Sequence, residues 1–400
     1  MLVRENYLEE IRGFYNSSLV KILVGIRRCG KSVILTQIMQ EIKEKYSVSE
    51  DHIIDINFEF VEYEELKDYK KLNSYIKEKI VDNEIYYIFL DEIQNVDNFE
   101  YVVNSLRASV PNLSIFITGS NSKMLSDELS SVLSGRYVLF KIYPLSYKEY
   151  ISYTKKDAYN LDNFWDYAKW GGLPQRLEFT KEIDIKNYLL NVFDSIILRD
   201  IVNRLNLSDT VLFNMILQYL IDITGREFSG DNLVKYLEKE NKKVSTQTVY
   251  TYIDALCKAF IIRKCNRYDV HGKSILKTLS KYYVTDLGIA QIKSTNTEFK
   301  NYLVLENIVY NELLIKNYEV YVGHTNNGEV DFVAKKDGEI KYIHVTYSLE
   351  DDTARAREFG AFTSIKDNYP KYIISLDKLD YSKDGIKNIN IIDFLMNDEF

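Results

Sequence analysis

One glycine-rich turn near the start of the chain constrains the fold more than any other feature of the sequence. Residues 24–35 read VGIRRCGKSVIL, in which Gly25 and Gly30 enclose four residues and are followed by Lys31 and Ser32. This spacing matches the loop that binds the phosphates of nucleoside triphosphates. Its glycines let successive main-chain N–H groups point at phosphate oxygens, reinforced by the N-terminus of the next helix. The spacing therefore predicts a strand, a phosphate-binding loop and a helix, in that order.

The side chains of this loop have distinct expected roles. Lys31 is expected to neutralise the β- and γ-phosphates, and the Ser32 hydroxyl is expected to ligate Mg²⁺. The sequence thus predicts ATP and Mg²⁺ as the bound groups. The residues predicted to contact the nucleotide are Gly25, Ile26, Arg27, Arg28, Cys29, Gly30, Lys31 and Ser32. Because this spacing also occurs by chance in unrelated proteins, its sequence context decides the interpretation.

Two later hydrophobic runs end in polar residues that suit the same chemistry. The run IYYIFLDE ends in Asp91 and Glu92. Asp91 is expected to hold the metal through its water shell, and Glu92 to take a proton from the attacking water as a general base. The run SIFITGS ends at Ser120, followed by Asn121, and polar side chains there can orient that water and sense the γ-phosphate. The alternatives are two exposed acids at a strand end and an ordinary polar turn.

Strand and helix signals alternate through residues 1–145, which we predict to form one domain. Helical patterns such as SVILTQIMQEIKEKY separate most of the short apolar runs, which lie at 20–24, 53–57, 85–90, 114–118 and 137–142. Strands that are apolar on both faces, with helices between them, form a parallel sheet covered on both sides. An extra strand between the loop and the acidic strand indicates the hydrolytic kind of P-loop α/β fold, rather than an adenylate-type kinase.

Beyond residue 145 the pattern changes, and three further regions are predicted. Residues 146–205 have the pattern of a helical lid. Residues 206–292 have the pattern of three helices and two strands, which is the order of a winged helix-turn-helix, with Ser245 or Thr246 capping the third helix. Residues 293–400 follow as helix, three strands and helix, a separate α/β region.

The distribution of charge predicts a nucleic-acid contact through residues 245–282. The net charge is −8, but residues 258–282 carry seven basic residues against one acid, a local charge of +6. Such a patch can bind backbone phosphates even in an acidic chain. Side chains on the exposed part of the third helix would then enter a major groove, namely Gln247, Thr248, Tyr250 and Thr251. The alternative is a module that packs against protein.

Several motifs together resemble the prokaryotic AAA-type ATPases of the archaeal-ATPase group. They occur in order over about residues 15–180 and read GIRRCGKS, FLDEIQNV, ITGSNSKML, LSGRYVLFKIYPLSYKEY and WGGLPQRL. The resemblance implies a Gly-x-Pro element beside the nucleotide in the helical lid, here Gly172, Leu173 and Pro174. The alternative for this element is a simple helix-breaking turn.

Three charged residues extend this resemblance. Arg136, in SGRYV, is the candidate to reach the γ-phosphate, in the same subunit or in a neighbouring one. A surface salt bridge is its alternative. Arg199 and Asp200, in ILRDIVNR, also fit the family, and an interdomain contact is their suggested role.

In the same family, the last segment is similar to the PD-(D/E)xK, or restriction-endonuclease-like, nuclease fold. Such a site needs an acid, and then acid-x-Lys on the next strand, to hold metal and activate water. Glu306 and Asp331 take the acidic positions, but His344-Val345-Thr346 stands where acid-x-Lys is required. The missing carboxylate and lysine predict a degenerate nuclease-like domain that serves in binding or assembly.

The sequence therefore favours a Mg²⁺-dependent AAA-type ATPase that couples nucleotide state to a DNA or protein partner. A slow nucleotide-gated scaffold or signalling switch and an ATP-regulated nuclease are the alternatives, and a homo-oligomer stays open. No apolar run approaches the roughly 20 residues that span a bilayer, and MLVRENYLEEIRGFY lacks the apolar core of a signal peptide. Three cysteines at no metal-ligand spacing make no disulfide framework. We expect a cytoplasmic protein without a membrane partner.

Overall fold

The structure is a computed structural model of the chain, and it describes residues 2–120, 131–133, 135–202, 209–294, 301–325, 328–398 and 400. The side chains of residues 198–200, 277–278 and 301–302 are outside this description. The chain divides into two compact units, one of residues 1–144 with 258–260 and one of residues 145–257 with 261–400. Across the described ranges, every helix is too short or too polar to cross a membrane.

A parallel five-stranded sheet forms the centre of the first unit. Its strands are β1 (Val20–Val24), β2 (Ile53–Asn57), β3 (Tyr86–Asp91), β4 (Leu113–Gly119) and β5 (Tyr137–Lys141). They are arranged in the order β2-β3-β4-β1-β5, and every neighbouring pair is parallel. All residues of β1, β3 and β4 are buried, as expected for the middle strands of a covered parallel sheet. The predicted α/β class and parallel sheet are confirmed.

One described helix of the first unit precedes β1, and three others lie between the strands in the sequence. They are α1 (Glu5–Arg12), α2 (Lys31–Tyr46), α3 (Tyr69–Lys79) and α4 (Phe99–Ser109). Their apolar residues recur at helical spacing, as in α4, where Phe99, Val102, Val103 and Leu106 are buried. The carboxylate of Asp68 caps α3 by accepting from two main-chain N–H groups. Local sequence thus accounts for the buried face of α4 and for the start of α3.

The second unit begins with helices, as predicted. They are α5 (Tyr147–Thr154), α6 (Leu161–Trp170), α7 (Glu182–Ile196), α8 (Thr210–Asp222), α9 (Gly230–Lys239) and α10 (Thr246–Lys258). A 3₁₀ turn covers Pro174–Glu178, and a π-helical turn covers Ile197–Val202. The hydroxyl of Ser245 accepts from the Thr248 N–H at 3.1 Å, so the predicted cap of α10 is confirmed. The side chains of Arg199 and Asp200 lie outside the described residues.

A seven-stranded sheet completes the second unit. Its strands are β6 (Ile262–Asp269), β7 (Ser274–Val284), β8 (Glu319–Thr325), β9 (Gly328–Lys336), β10 (Glu339–Val345), β11 (Lys371–Ser375) and β12 (Ile386–Asn390), in the order β12-β11-β10-β9-β8-β6-β7. Its helices are α11 (Leu287–Lys293), α12 (Asn301–Ile315), α13 (Asp352–Gly360) and α14 (Ile391–Met396). The last two strands were not predicted, because both are short and lie among polar residues.

The hairpin predicted as a wing is continuous with this sheet. Strand β6 pairs in parallel with β8, with Arg267 opposite Val322 and Asp269 opposite His324. The pairing satisfies main-chain groups that would otherwise be unpaired along one edge of the hairpin. One sheet therefore runs across the predicted boundary at residues 292 and 293.

The two glycines of WGGLPQRL are explained by close packing inside the second unit. Asp286 accepts hydrogen bonds from the main-chain N–H groups of Gly172 at 2.7 Å and Gly288 at 2.9 Å. A Cβ at Gly171, where φ is +72°, would lie 2.1 Å from the Asp286 carboxylate, and a Cβ at Gly172 would lie 2.2 Å from the carbonyl oxygen of Leu145. The turn must therefore lack side chains in order to close around the buried carboxylate.

Replacement of Asp286 should destabilise the second unit. Asp286→Ala leaves two buried N–H groups without an acceptor, and each such group costs about 1–3 kcal/mol. We expect a clear fall in Tm in thermal unfolding followed by circular dichroism. The exposed Asp184, in the first turn of α7, supplies the matched control Asp184→Ala. Equal Tm values for the two variants would contradict this account of the turn.

Candidate nucleotide-binding site

The turn after β1 has the backbone that its glycines predict. Gly30 has φ of +103°, and α2 begins at the next residue, Lys31. A Cβ at Gly25 would lie 2.1 Å from the carbonyl oxygen of Ile142, so the loop can approach the chain after β5 only with glycine at this position. Arg28 also adopts a left-handed conformation, with φ of +66°. The loop is thus a closely wrapped turn leading directly into a helix N-terminus.

The ammonium group of Lys31 lies inside this turn. Its Nζ donates to the carbonyl oxygens of Gly25 at 3.1 Å and Ile26 at 3.2 Å. It also lies 3.8 Å from Oε1 of Glu92, and the Lys31 side chain is only 3% exposed. A buried ammonium shared between carbonyls and one carboxylate is a concentrated positive charge at the loop.

Asp91 ends β3 and is held by residues from both neighbouring strands. The amide of Asn57, on β2, donates to Oδ2 at 2.9 Å, and the hydroxyl of Thr118, on β4, donates to Oδ1. Burial raises the pKa of Asp91, and hydrogen bonds from Thr118 and Ser32 partly offset that rise. The predicted metal residues Ser32 and Asp91 are therefore brought together.

Glu92 follows in a left-handed conformation with φ of +54°. Its main-chain N–H donates to the Thr118 hydroxyl at 2.9 Å, while its Oε2 accepts from Ser120 Oγ at 3.1 Å and from the amide of Gln94. Burial would raise the pKa of Glu92, but the charge of Lys31, together with other donors, lowers it below its ordinary value. Glu92 is therefore an ionised carboxylate at neutral pH.

The other predicted loop residues occupy different environments. Ile26 and Cys29 are fully buried, so their side chains pack inside the unit and only their main-chain groups can face a ligand. Arg27 Nη1 lies 3.4 Å from Oε1 of Glu59, after β2. Arg28 is exposed. Asn121 lies outside the described residues.

Arg136 is not near the loop in its own chain. It precedes β5, its carbonyl oxygen accepts from the N–H of Val20, and its Nη1 lies 3.5 Å from Oδ1 of Asn104. Because β1 and β5 are parallel, Arg136 lies at the start of β1, whereas the loop follows the end of β1 at Val24. That separation is about 13 Å of strand. Action within the same subunit is therefore not supported by this geometry.

Residues that sequence reasoning missed complete the site. Asn57 and Thr118 position Asp91, and Gln94 positions Glu92. Asn57 ends a predicted strand next to the acidic one, so its position was the available signal. Arg4 donates to the carbonyl oxygen of Cys29 at 3.0 Å, and no motif of the sequence pointed to it.

The donor set fits ATP and Mg²⁺. The loop combines main-chain N–H groups at a helix N-terminus with the buried Lys31 ammonium, which suits a polyphosphate. The Ser32 hydroxyl and the Asp91 carboxylate supply the hard oxygen ligands that Mg²⁺ prefers. Gly25 leaves no room for a side chain at the point where the loop turns.

The acids of the predicted nuclease-like region have partners that sequence reasoning did not identify. Lys281 Nζ lies 3.1 Å from Oε1 of Glu306 and 2.5 Å from Oε1 of Glu329. His344 lies 2.8 Å from Asp331 through Nδ1 and 2.6 Å from Glu358 through Nε2. Over the part of the chain that the structure describes, no group of three or more His, Cys, Asp or Glu side chains is arranged to hold a metal ion.

This cluster corrects one part of the charge prediction. The basic segment predicted to face nucleic acid includes Lys281, but this lysine is 5% exposed and ion-paired. It therefore does not contribute to a basic surface. Burying an isolated charge is costly, and the Lys281 ammonium is buried as an ion pair with the carboxylates of Glu306 and Glu329.

The pairing of His344 predicts a pH-dependent stability. Burial would lower the pKa of His344, but Asp331 and Glu358 raise it to about 10. Because the folded-state pKa is above the unfolded value of about 6.5, protonation of His344 stabilises the fold. This stabilisation is complete below about pH 6.5 and is lost as the pH rises through 10. We expect His344→Gln to lower Tm strongly at about pH 7, and the difference from the wild type to shrink toward about pH 10.

The control for this experiment is His271→Gln, at the exposed tip of the β6–β7 hairpin. Its Tm should follow the wild type at every pH. A His344→Gln defect that stays constant from about pH 7 to about pH 10 would show that the charge of His344 does not stabilise the fold.

Comparison with known proteins agrees with the geometry of the first unit. A family profile described as an AAA domain matches residues 17–151, and one described as a domain of unknown function (DUF8612) matches residues 161–299. The chain thus carries an AAA-type P-loop domain. An uncharacterized protein of Haemophilus influenzae is 36% identical over 403 residues, covering 99% of each chain. The chain belongs to the same family as that protein.

More distant similarities cover most of the chain. The uncharacterized protein MJ1544 of Methanocaldococcus jannaschii is 29% identical over 388 residues, which is 94% of this chain and 85% of that protein. Among solved structures, a Walker-type ATPase of Pyrococcus abyssi is similar with a TM-score of 0.47 and 16% identity, over 73% of this chain and 95% of that one.

Proposed function

We propose that this protein is a Mg²⁺-dependent ATPase that couples its nucleotide state to a DNA or protein partner. The observation that carries the proposal is the convergence of Lys31, Asp91 and Glu92 at one edge of a parallel sheet, with Lys31 Nζ 3.8 Å from Glu92 Oε1. A positive charge for phosphate, an acid for metal and an ionised acid for water are the parts that phosphoanhydride hydrolysis requires.

Each residue of the site has a role in this proposal. Main-chain N–H groups of residues 25–32 bind the phosphates, and Lys31 neutralises them. Ser32 and Asp91 hold Mg²⁺, which when bound offsets the charge on the phosphate oxygens. Glu92 accepts a proton from water, and Ser120 with Asn121 orients that water. Arg136 acts from a neighbouring subunit, because in its own chain it lies at the other end of β1.

The charge balance links phosphate binding to the basicity of Glu92. The Lys31 ammonium lowers the pKa of Glu92, and it also donates to the carbonyl oxygen of Gly25 in the phosphate loop. A triphosphate competes with Glu92 for this ammonium. Withdrawal of the positive charge raises the pKa of Glu92 toward its ordinary value, which makes Glu92 a better proton acceptor once substrate is bound.

Two substitutions separate binding from hydrolysis. Lys31→Ala should abolish ATP binding, because the buried positive charge is lost. Glu92→Gln keeps the size of the side chain and should keep ATP bound, while phosphate release falls about 10²–10⁴-fold through loss of the base. Binding is measured with a fluorescent ATP analogue and turnover by phosphate release.

Glu62→Gln, at an exposed position after β2, is the matched control and should leave both quantities unchanged. Full turnover by Glu92→Gln would remove Glu92 as the base. Failure of the folded wild type to bind ATP with Mg²⁺ present would overturn the proposed function as a whole.

A nucleic-acid partner is supported by the order of elements around α10. Helices α8, α9 and α10 precede the β6–β7 hairpin, and a bridge between Glu227 and Lys281 adds a short extended segment between α8 and α9. This is the order of a winged helix-turn-helix. On α10, Gln247, Tyr250 and Thr251 are exposed, as a helix that enters a major groove requires.

The hairpin supplies the exposed positive charge for this interaction. Lys264 and Lys273 are exposed on it, whereas Lys281 is buried. The double variant Lys264→Gln/Lys273→Gln should bind duplex DNA more weakly. The slope of log K against log salt should fall by about 0.9 for each phosphate that the variant no longer neutralises. Fluorescence anisotropy over a salt series measures both quantities.

The control is Lys378→Gln/Lys387→Gln. Lys378 follows β11 and Lys387 lies on β12, and both side chains are exposed. These two strands are at the opposite end of the sheet from β6 and β7. Equal DNA affinity for both double variants would exclude the hairpin as a DNA-binding element. ATP turnover with and without DNA then discriminates the remaining alternatives, since indifference to DNA favours the slow nucleotide-gated scaffold.

We assign no nuclease activity to the region that follows residue 293. Asp331 is engaged by His344 and by the N–H of Val345, and Glu306 by Lys281 and the hydroxyl of Tyr283. These partners engage Oδ2 of Asp331 and Oε1 of Glu306, and the acid-x-Lys pattern that such a nuclease needs is absent at residues 344–346. The degenerate, restriction-endonuclease-like interpretation, with a role in binding or assembly, is retained as part of the proposal.

A further inference from the structure

A buried arginine outside every motif contacts the phosphate loop. Arg4 is only 3% exposed. Its Nη1 donates to the carbonyl oxygens of Cys29 and Tyr143, each at 3.0 Å, and its Nη2 donates to that of Pro144 at 3.4 Å. One guanidinium thus joins the end of the loop to the segment that follows β5.

The residues around Arg4 hold it in place. Its main-chain N–H donates to Gln37, on α2, at 3.2 Å, and the Gln37 amide donates back to the carbonyl oxygen of Leu2 at 2.6 Å. The guanidinium carbon lies 4.6 Å from the ring centre of Tyr7, whose hydroxyl accepts from the N–H of Tyr143 at 3.1 Å. The start of the chain is therefore fastened to the helix that follows the loop and to the segment beside it.

The hydrogen bond to Cys29 has a direct consequence for phosphate binding. The peptide between Cys29 and Gly30 is trans, because no described peptide bond is cis. In a planar trans peptide, the C=O and the next N–H point in opposite directions. When Arg4 holds the Cys29 carbonyl, it also fixes the direction of the Gly30 N–H, which points away from Arg4. Gly30 is one of the loop residues whose N–H groups are the phosphate donors of the proposed site.

We propose that Arg4 is a positioning residue that sets nucleotide affinity by holding the Cys29–Gly30 peptide in its binding orientation. A planar guanidinium with five N–H donors can span carbonyls from two segments at once, and a lysine ammonium cannot do so with the same geometry. The inference rests on the proposed function of the same site. It adds a residue that acts through the loop and does not touch the substrate.

The test compares Arg4→Met and Arg4→Lys with the wild type. Loss of charge-assisted hydrogen bonds to the loop should raise the Kd for ATP, and the KM, by about tenfold or more in Arg4→Met. The kcat should change much less, because Asp91 and Glu92 are untouched. Arg4→Lys should lie between the two, since it keeps the charge but not the span. Should Arg4→Met fail to fold, Arg4→Lys carries the test, and wild-type affinity in that variant overturns the inference.

Arg12→Met is the matched control for general destabilisation. Arg12 lies on α1, where it pairs with Glu5 and Glu41 away from the loop. This variant should lose stability without losing affinity when binding is measured below its Tm. An equal rise in Kd for Arg12→Met and Arg4→Met would reduce Arg4 to a structural role and overturn the inference.

Inorganic tripolyphosphate distinguishes the loop from other parts of a nucleotide site. In Arg4→Met, the affinity for tripolyphosphate, measured by competition, should fall by the same factor as the affinity for ATP. Unchanged competition would mean that Arg4 acts elsewhere, and would overturn the inference. The proposed function itself fails only if the wild type does not bind ATP, or if Lys31→Ala binds it as well as the wild type does.

Discussion

The parallel alignment of β1, β3 and β4 is the constraint on which the candidate site depends. Parallel strands end at one edge of a sheet, and ligands of such folds bind beyond that edge. The register pairs Val24 with Gly119 and Asn57 with Asp91, so the phosphate loop, the acids and the hydroxyl of Ser120 leave the sheet at the same level. Polar residues that are far apart in the sequence are thereby brought together at one edge of the sheet.

Burial then decides which polar residues are needed at this edge. Both oxygens of Asp91 accept hydrogen bonds, from Asn57 and Thr118, and Glu92 is held by Gln94 and Ser120. Buried carboxylates without such partners would be costly. The same donors keep the two carboxylates at fixed positions relative to Lys31, which is the precondition for the proposed chemistry.

In the second unit, strand pairing joins regions that sequence patterns separate. The pairing of β6 with β8 makes the predicted wing part of a larger sheet, and it places Lys281 beside Glu306 and Glu329 rather than at the surface. Lys281 therefore does not substitute for the lysine that is absent from the acid-x-Lys position, because its ammonium group is ion-paired with Glu306 and Glu329. Among the described side chains of the hairpin, Lys264 and Lys273 are exposed lysines.

The sequence by itself determined strands and the loop of the first unit: predicted and observed ranges agree for β1 and β2, the turn after β1 leads into a helix at Lys31, and Asp91 ends β3. These features are local, since periodicity, glycine conformation and a strand end are readable within a few residues. Only the tertiary structure decided the contacts of Asn57, Thr118 and Arg4, the distance of Arg136 from the loop, and the burial of Lys281. Each of these depends on which strands and chain ends become neighbours, and the hydrogen bonds of a buried side chain are set by those neighbours rather than by its own position in the sequence.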